Sequence, residues 1–224
     1  MIPMTHHGFA SREDAGRQLA EKLVTFSLPN HPLLLALPRG GVPVAAEVAA
    51  RLGLPMDVLV VRKLGVPGHE EYAMGAIAGG GVLVLDHRVV ANLGLGLDEV
   101  ERVIQREKRE LERRERMFRD DRPPPAVSGR TVIVVDDGIA TGSTVSAAIQ
   151  LLRHQKADRI IVAAPVSARD SARRLRAEAD AVLTLIEPAD FRAVGQWYED
   201  FSETTDEEVR RLLAVHGQEV TPEP

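Results

Sequence analysis

The stretch Val132-Ile133-Val134-Val135-Asp136-Asp137-Gly138-Ile139-Ala140-Thr141-Gly142-Ser143-Thr144 concentrates more chemistry than any other part of the chain. Its four apolar residues predict a buried strand that delivers two adjacent carboxylates at its carboxyl end. Successive strand residues point to opposite sides, so Asp136 and Asp137 diverge, yet both can reach vicinal hydroxyls where the chain turns. Gly138 and Gly142 permit tight backbone, Thr141, Ser143 and Thr144 add hydroxyls, and a helix start follows. Exposed N–H groups and the positive end of that helix suit a phosphate. An acid pair for a diol beside an anion cradle describes a phosphorylated sugar held at both ends. No Lys precedes Ser143-Thr144, which excludes a Walker A loop, and no Gly-x-Gly-x-x-Gly follows a strand here, which excludes the dinucleotide fingerprint. Either acid alone would equally suit a surface turn with a Ser N-cap.

Two further segments carry charge to strand ends. Leu37-Pro38-Arg39-Gly40-Gly41 follows an apolar run; its glycines bring backbone N–H groups close to an anion, and Arg39 adds a forked donor ahead of a helix. Arg62-Lys63 ends the next run and opens Leu64-Gly65-Val66-Pro67-Gly68-His69-Glu70-Glu71-Tyr72. Taken alone, that pair also suits a solvated strand end, and His69 an ordinary loop.

These residues need a scaffold. Apolar runs at Leu33 to Leu37, Val58 to Val61, Val132 to Val135, Ile160 to Ala164 and Val182 to Ile186 lack polar alternation and read as strands buried on both faces. Helical patterns lie between them at Val42 to Leu52, Ser143 to Leu152 and Ala168 to Ala177. The alternation predicts an α/β fold with a mainly parallel central sheet flanked by helices, in which ligands sit at the carboxyl ends of the strands. Three segments fall outside it. Leu64 to Gly81 is glycine-rich and reads as a mobile loop followed by a short hairpin whose second strand is Val82 to Leu85. Residues 98–119 read as a charged, solvated helix packed by one stripe through Ile104, Leu111 and Phe118, with an anion-binding arm as the alternative. Phe191 to Ala214 holds the single Trp, Trp197, beside Tyr198, with a helix from about Thr205 to Asp206.

Composition bounds the rest. With 28 basic and 33 acidic residues in 224 and a net charge of −5, the chain is no general nucleic-acid coat, though one local basic site is compatible with it. Zero cysteines exclude disulfides, thiolate nucleophiles and Cys-based zinc sites. Neither a signal-like apolar region at the N-terminus nor a membrane-length apolar run is evident, so a cytoplasmic protein without a membrane partner is expected. His6-His7 reads as a solvated pair. The chain is taken as a single domain, 1–224.

The segment 132–144 resembles the ribose-phosphate motif of type I phosphoribosyltransferases, enzymes of 5-phosphoribosyl-1-pyrophosphate (PRPP). The Arg-Gly-Gly form of 39–41 is similar to that family's pyrophosphate loop, and Arg62-Lys63 to the start of a closing loop in the orotate and adenine enzymes. The resemblance implies a core at about 33–186, a hood from the N-terminal and C-terminal segments and a lid at about 64–78. It implies that Asp136 and Asp137 contact the ribose hydroxyls and that Gly138, Ile139, Ala140, Thr141, Gly142, Ser143 and Thr144 hold the 5′-phosphate. Pro38, Arg39, Gly40, Gly41, Arg62 and Lys63 would take pyrophosphate with Mg²⁺, and His69 and Glu70 would belong to the lid. Asp136, Asp137, Lys63 and Arg39 are the catalytic candidates. In the family the pyrophosphate loop often holds a cis non-proline peptide, here between Pro38 and Arg39. The implied activity is transfer of phosphoribose to a nitrogenous base in nucleotide salvage, with no nucleic-acid partner and a homodimer open.

Departures from the pattern leave a second reading. No second Lys follows in the lid, Ala140 stands where hypoxanthine-type enzymes place a carboxylate, and the uracil signature is absent. A non-catalytic PRPP-sensing regulatory protein is therefore the alternative. A sugar-phosphate hydrolase would need a general base such as Glu70 or Glu71. Trp197 and Tyr198 are candidates to stack on a base, with core packing the competing role. No direct protein ligand for the metal is assigned.

Overall fold

The computed structural model describes residues 8–119 and 122–217, so His6-His7 and the outermost parts of the expected hood lie outside the described residues. The central sheet contains β1 (Leu33–Ala36), β2 (Met56–Val58), β6 (Thr131–Val135), β7 (Arg159–Val166) and β8 (Ala181–Ile186), all parallel, in the order β2-β1-β6-β7-β8. The mainly parallel α/β architecture expected from the alternation is present.

Strand periodicity divides the core. Leu34, Ala36, Ile133, Val135, Ile161 and Ala163 face α1 (Arg12–Val24), α2 (Gly41–Leu52) and α7 (Asp206–His216). The intervening Leu33, Leu35, Val132, Val134, Ile160 and Val162 face α5 (Ser143–His154). Each two-residue step returns a side chain to the same face, so unbroken apolar runs fill two cores at once. The helix ends match their chemistry. Ser11 caps α1 by accepting from the Asp14 amide, Thr205 caps α7 by accepting from the Glu208 amide, and Gly53 (φ 63°) closes α2. α6 (Arg169–Leu175) joins β7 to β8.

Two expectations need correction. The run Val58 to Val61 is not one strand: β2 ends at Val58 in the parallel sheet, and β3 (Val61–Val66) begins a second sheet after the buried Leu59 and Val60. A continuous apolar run carries no mark of where one sheet hands over to another.

The segment expected as a loop is also built of strands. β3 pairs antiparallel with β4 (His69–Ala78) around Pro67-Gly68, with Gly68 at φ 76°, and β4 pairs with β5 (Val82–Leu85). The interior glycines serve close approach. A Cβ on Gly65 would lie 2.6 Å from the Glu70 carbonyl oxygen, and one on Gly75 would lie 2.3 Å from that of Val84.

This three-stranded sheet sits between α5 and α4 (Leu97–Arg119), with the short α3 (His87–Asn92) leading into the latter. On α4 the buried stripe runs through Val100, Val103, Leu111 and Phe118, with Ile104 only partly buried, which bears out a packed charged helix. It also buries two charges the pattern did not mark. Arg119 donates to Asp57 at 2.9 Å, to Glu115 at 2.6 Å and to the Val58 carbonyl, while Glu107 accepts from Arg62. Among the described residues no helix is long and apolar enough to cross a membrane.

Candidate active site

The loops after β1 and β6 meet. Leu37 continues the β1–β6 pairing by donating to the Val135 carbonyl at 2.8 Å, and the chain then turns through Pro38 and Arg39 into α2. The Pro38–Arg39 peptide is cis, as the resemblance implied. Gly40 and Gly41 lie directly on the end of β6. A Cβ at Gly40 would fall 2.0 Å from Asp137 Oδ2, and one at Gly41 would fall 2.6 Å from the Val135 carbonyl oxygen and 3.0 Å from Asp136 Cα. The glycines therefore permit contact between the two loops that any side chain would block.

The acids are crowded and coupled. Asp136 Oδ1 accepts from the Asp137 amide at 3.0 Å, and Asp137 Oδ2 accepts from Arg12 Nε at 2.8 Å. Burial, followed by the neighbouring Asp137 charge, pushes the Asp136 carboxyl well above the ordinary carboxylate range. Burial also raises Asp137, with the Arg12 guanidinium opposing it. Tyr198 donates its hydroxyl to the Asp137 carbonyl at 2.5 Å, and burial with the same acid's charge raises the phenol, so it remains a donor at neutral pH.

The loop 138–144 is held from behind. Ala168 donates to the Ile139 carbonyl at 2.8 Å, Ser171 Oγ to that of Ala140 at 2.6 Å, and Arg174 to that of Thr141 at 2.8 Å. Planar trans peptides turn the amides of Ala140, Thr141 and Gly142 the opposite way, toward the space before α5. Gly142, at φ 71°, then enters the helix, whose first-turn amides have no intrahelical acceptors. Thr141 Oγ1 and Ser143 Oγ lie 3.1 Å apart. At Gly138 a Cβ would come 2.4 Å from Val194 Cγ1, so the C-terminal segment closes tightly over the loop.

Lys63 joins this group and Arg62 does not. Strand alternation sends them to opposite faces of β3. Lys63 Nζ donates to Ser143 Oγ at 3.3 Å, whereas Arg62 donates to Glu107 Oε2 through Nε at 2.9 Å and through a terminal nitrogen at 2.6 Å. Arg62 thus forms an ion pair with a carboxylate that α4 buries. Arg62→Met should lower stability by roughly 1–3 kcal/mol, since Glu107 would keep only Arg106 as a partner. Calorimetric melting reads that loss, and ligand affinity at the strand ends should not change.

The remaining expected residues fall in three places. Arg39 pairs with Glu203 and lies 3.7 Å from Asp206, so in the free chain its charge is met by the C-terminal segment. The hairpin tip rests against α4: Gly65, Pro67, Gly68 and Glu70 line a cavity with Glu99, Arg102, Val103 and Arg106, and His69 begins β4 beside it. Trp197 and Tyr198 are buried with Phe9, Ala15 and Val166. Their segment pairs with the N-terminal one, Phe9 donating to the Trp197 carbonyl at 2.8 Å and Glu199 to that of Phe9 at 2.9 Å, which gives a cover built from both chain ends. Sequence reasoning missed Arg12, Ser171 and Arg174, which no local pattern distinguishes from the other polar residues of their helices.

Among the described residues no three His, Cys, Asp or Glu side chains converge as a metal site. The donor set on hand, Asp136 and Asp137, fits Mg²⁺ held chiefly by substrate oxygens and water.

Known proteins share the sequence and fold of this chain. A family model described as a phosphoribosyl transferase domain matches residues 10–201. A Mycobacterium tuberculosis protein provisionally named a phosphoribosyl transferase, recorded from two strains, is 47% identical over 205 residues, 92% of this chain and 46% of its own length. The chain thus spans about half the length of these curated relatives. The crystal structure of TT1426 from Thermus thermophilus shares 42% identity and superposes with a TM-score of 0.87, covering 94% of this chain and all of that one. With the family model spanning both facing loops and the acid pair, the chain belongs to the phosphoribosyl transferase domain family.

Proposed function

We propose that this chain binds PRPP and transfers its 5-phosphoribosyl group to a nitrogenous base. The carbon–oxygen bond to pyrophosphate breaks, a bond from the ribosyl carbon to a base nitrogen forms, and the base loses a proton to pyrophosphate or solvent. The observation that carries this reading is the contact of the Gly40 loop with the Asp137 carboxylate, which sets the glycine turn directly against the acid pair.

In this reading Asp136 and Asp137 accept from the ribose hydroxyls. The amides of Ala140, Thr141 and Gly142, with the hydroxyls of Thr141, Ser143 and Thr144, hold the 5′-phosphate. Arg39 leaves Glu203 and Asp206 to meet pyrophosphate beside the amides of Gly40 and Gly41. Bound Mg²⁺ offsets charge on the leaving group. The chain supplies fixed groups around a ribosyl carbon that becomes cationic as pyrophosphate departs, so positioning and electrostatics provide the catalysis.

Lys63, on β3 with its ammonium beside Ser143, adds a positive charge. Lys63→Ala should weaken PRPP affinity about tenfold or more, the usual size of a lost charge-assisted hydrogen bond, as read by titration calorimetry. The transferase reading is tested by incubating the chain with Mg²⁺, PRPP and a panel of bases while following nucleotide formation and pyrophosphate release. Turnover with one base supports it. Binding of PRPP without turnover on any base overturns it in favour of a sensing protein.

A further inference from the structure

We infer that Arg12 is a positioning residue for the ribose-binding acids, anchoring one oxygen of Asp137 so that the other is left to accept a sugar hydroxyl. The inference rests on the PRPP reading above and adds to it a residue from the opposite end of the chain.

Arg12 opens α1, 125 residues from the acid it meets. Its guanidinium is fixed on three sides. Nε donates to Asp137 Oδ2 at 2.8 Å, one terminal nitrogen donates to the Ser202 carbonyl at 2.6 Å, and the guanidinium carbon lies 3.9 Å from the centre of the Phe201 ring. Only 11% of the Arg12 side chain and 13% of the Asp137 side chain remain exposed, so water screens the pair weakly. An Arg held by a carboxylate, a carbonyl and an aromatic face is pre-organised in a way a surface ion pair is not.

The same acid is fixed from its other sides. Tyr198 donates to its main-chain carbonyl, Asp136 accepts from its amide, and Gly40 leaves room for Oδ2 where a methyl group would strike it. Three ionisable groups therefore face Asp137: Arg12 from α1, Asp136 from its own strand end and Tyr198 from the C-terminal segment. Of these only Arg12 is cationic, and its guanidinium is the group that holds Asp137 Oδ2. Through Ser202 and Phe201 the same side chain ties the terminal cover to the sugar site.

The test compares Arg12→Met and Arg12→Lys with the unmodified chain. Binding of ribose 5-phosphate and of inorganic pyrophosphate is measured by calorimetry on each protein. Arg12→Met should weaken ribose 5-phosphate binding about tenfold and leave pyrophosphate binding unchanged; Arg12→Lys should recover part of the loss. A merely structural role would weaken both ligands together, with no recovery in Arg12→Lys, and that finding in a folded variant overturns the inference. If the unmodified chain binds pyrophosphate but not ribose 5-phosphate, both the PRPP reading and the role of Arg12 fall. Unchanged ribose 5-phosphate binding in Arg12→Met, beside normal binding by the unmodified chain, removes Arg12 alone.

Discussion

Asp136→Asn is expected to make the protein more stable at neutral pH and much poorer at binding PRPP. The substituted side chain keeps an oxygen that can accept from the Asp137 amide, now at 3.0 Å from Asp136, so the local hydrogen bond survives. What disappears is a charge that burial and the neighbouring Asp137 both disfavour. Because the folded-state pKa is raised, the native chain binds more protons than the unfolded chain between the ordinary carboxylate value and the raised one. Stability therefore falls as pH rises through that window, and it is undiminished below it. Asn at 136 removes this slope. Unfolding free energies of the two proteins should coincide near pH 4 and separate toward pH 7 in favour of the variant, by roughly 1–3 kcal/mol. In calorimetric titration the same variant should bind PRPP about 10- to 100-fold more weakly, since a sugar hydroxyl would meet a neutral acceptor in place of an ionised one. Opposite changes in stability and binding mark a group retained for its ligand, whereas a fold-stabilising acid would lose both.

Gly40→Ala should produce a loss of similar size by a different route. Gly40 has φ −60° and ψ −31°, which alanine adopts without strain, so the backbone tolerates the change. The added methyl carbon would lie 2.0 Å from Asp137 Oδ2, inside the distance any real contact allows. Either the carboxylate turns away from Arg12 or the turn lifts off the end of β6. Overpacking of this kind costs about 1–3 kcal/mol, and here the cost falls on the geometry shared by the acid pair and the Gly40 turn. PRPP affinity should drop about 10- to 100-fold, while the far-ultraviolet circular dichroism of the central sheet and its helices is retained. Equal affinity in the two proteins would show that the contact between the loops has no part in binding.

Parts of this site are legible in the sequence because they are contiguous. The strand, acid pair, loop and helix start of 131–154 follow one another along the chain, and local rules place every one of them. The turn at 38–41 is readable for the same reason. Arg62 and Lys63 show where adjacency misleads: alternation along β3 assigns one to α4 and the other to Ser143, and only the packed neighbours reveal which. The segment 64–81 misleads because glycine has two uses. Its glycines allow close strand approach at Gly65 and Gly75, a need that depends on the partner strand and leaves no trace in local composition. Arg12 and Tyr198 lie 125 and 61 residues from Asp137, and only the folding of both terminal segments onto the carboxyl end of β6 unites them. The acidic net charge is compatible with an anion site because backbone amides and hydroxyls line it and cations there are few. Lys63, one of only four lysines, is the one beside Ser143 at the end of the 138–144 loop.

A crystal structure of the chain soaked with Mg²⁺ and PRPP tests the site most directly. The expected result places the 5′-phosphate against 138–144, the ribose hydroxyls on Asp136 and Asp137, and pyrophosphate beside Arg39, Gly40, Gly41 and Lys63, with Arg39 released from Glu203. PRPP bound elsewhere, or an empty sheet edge at saturating PRPP, would contradict it.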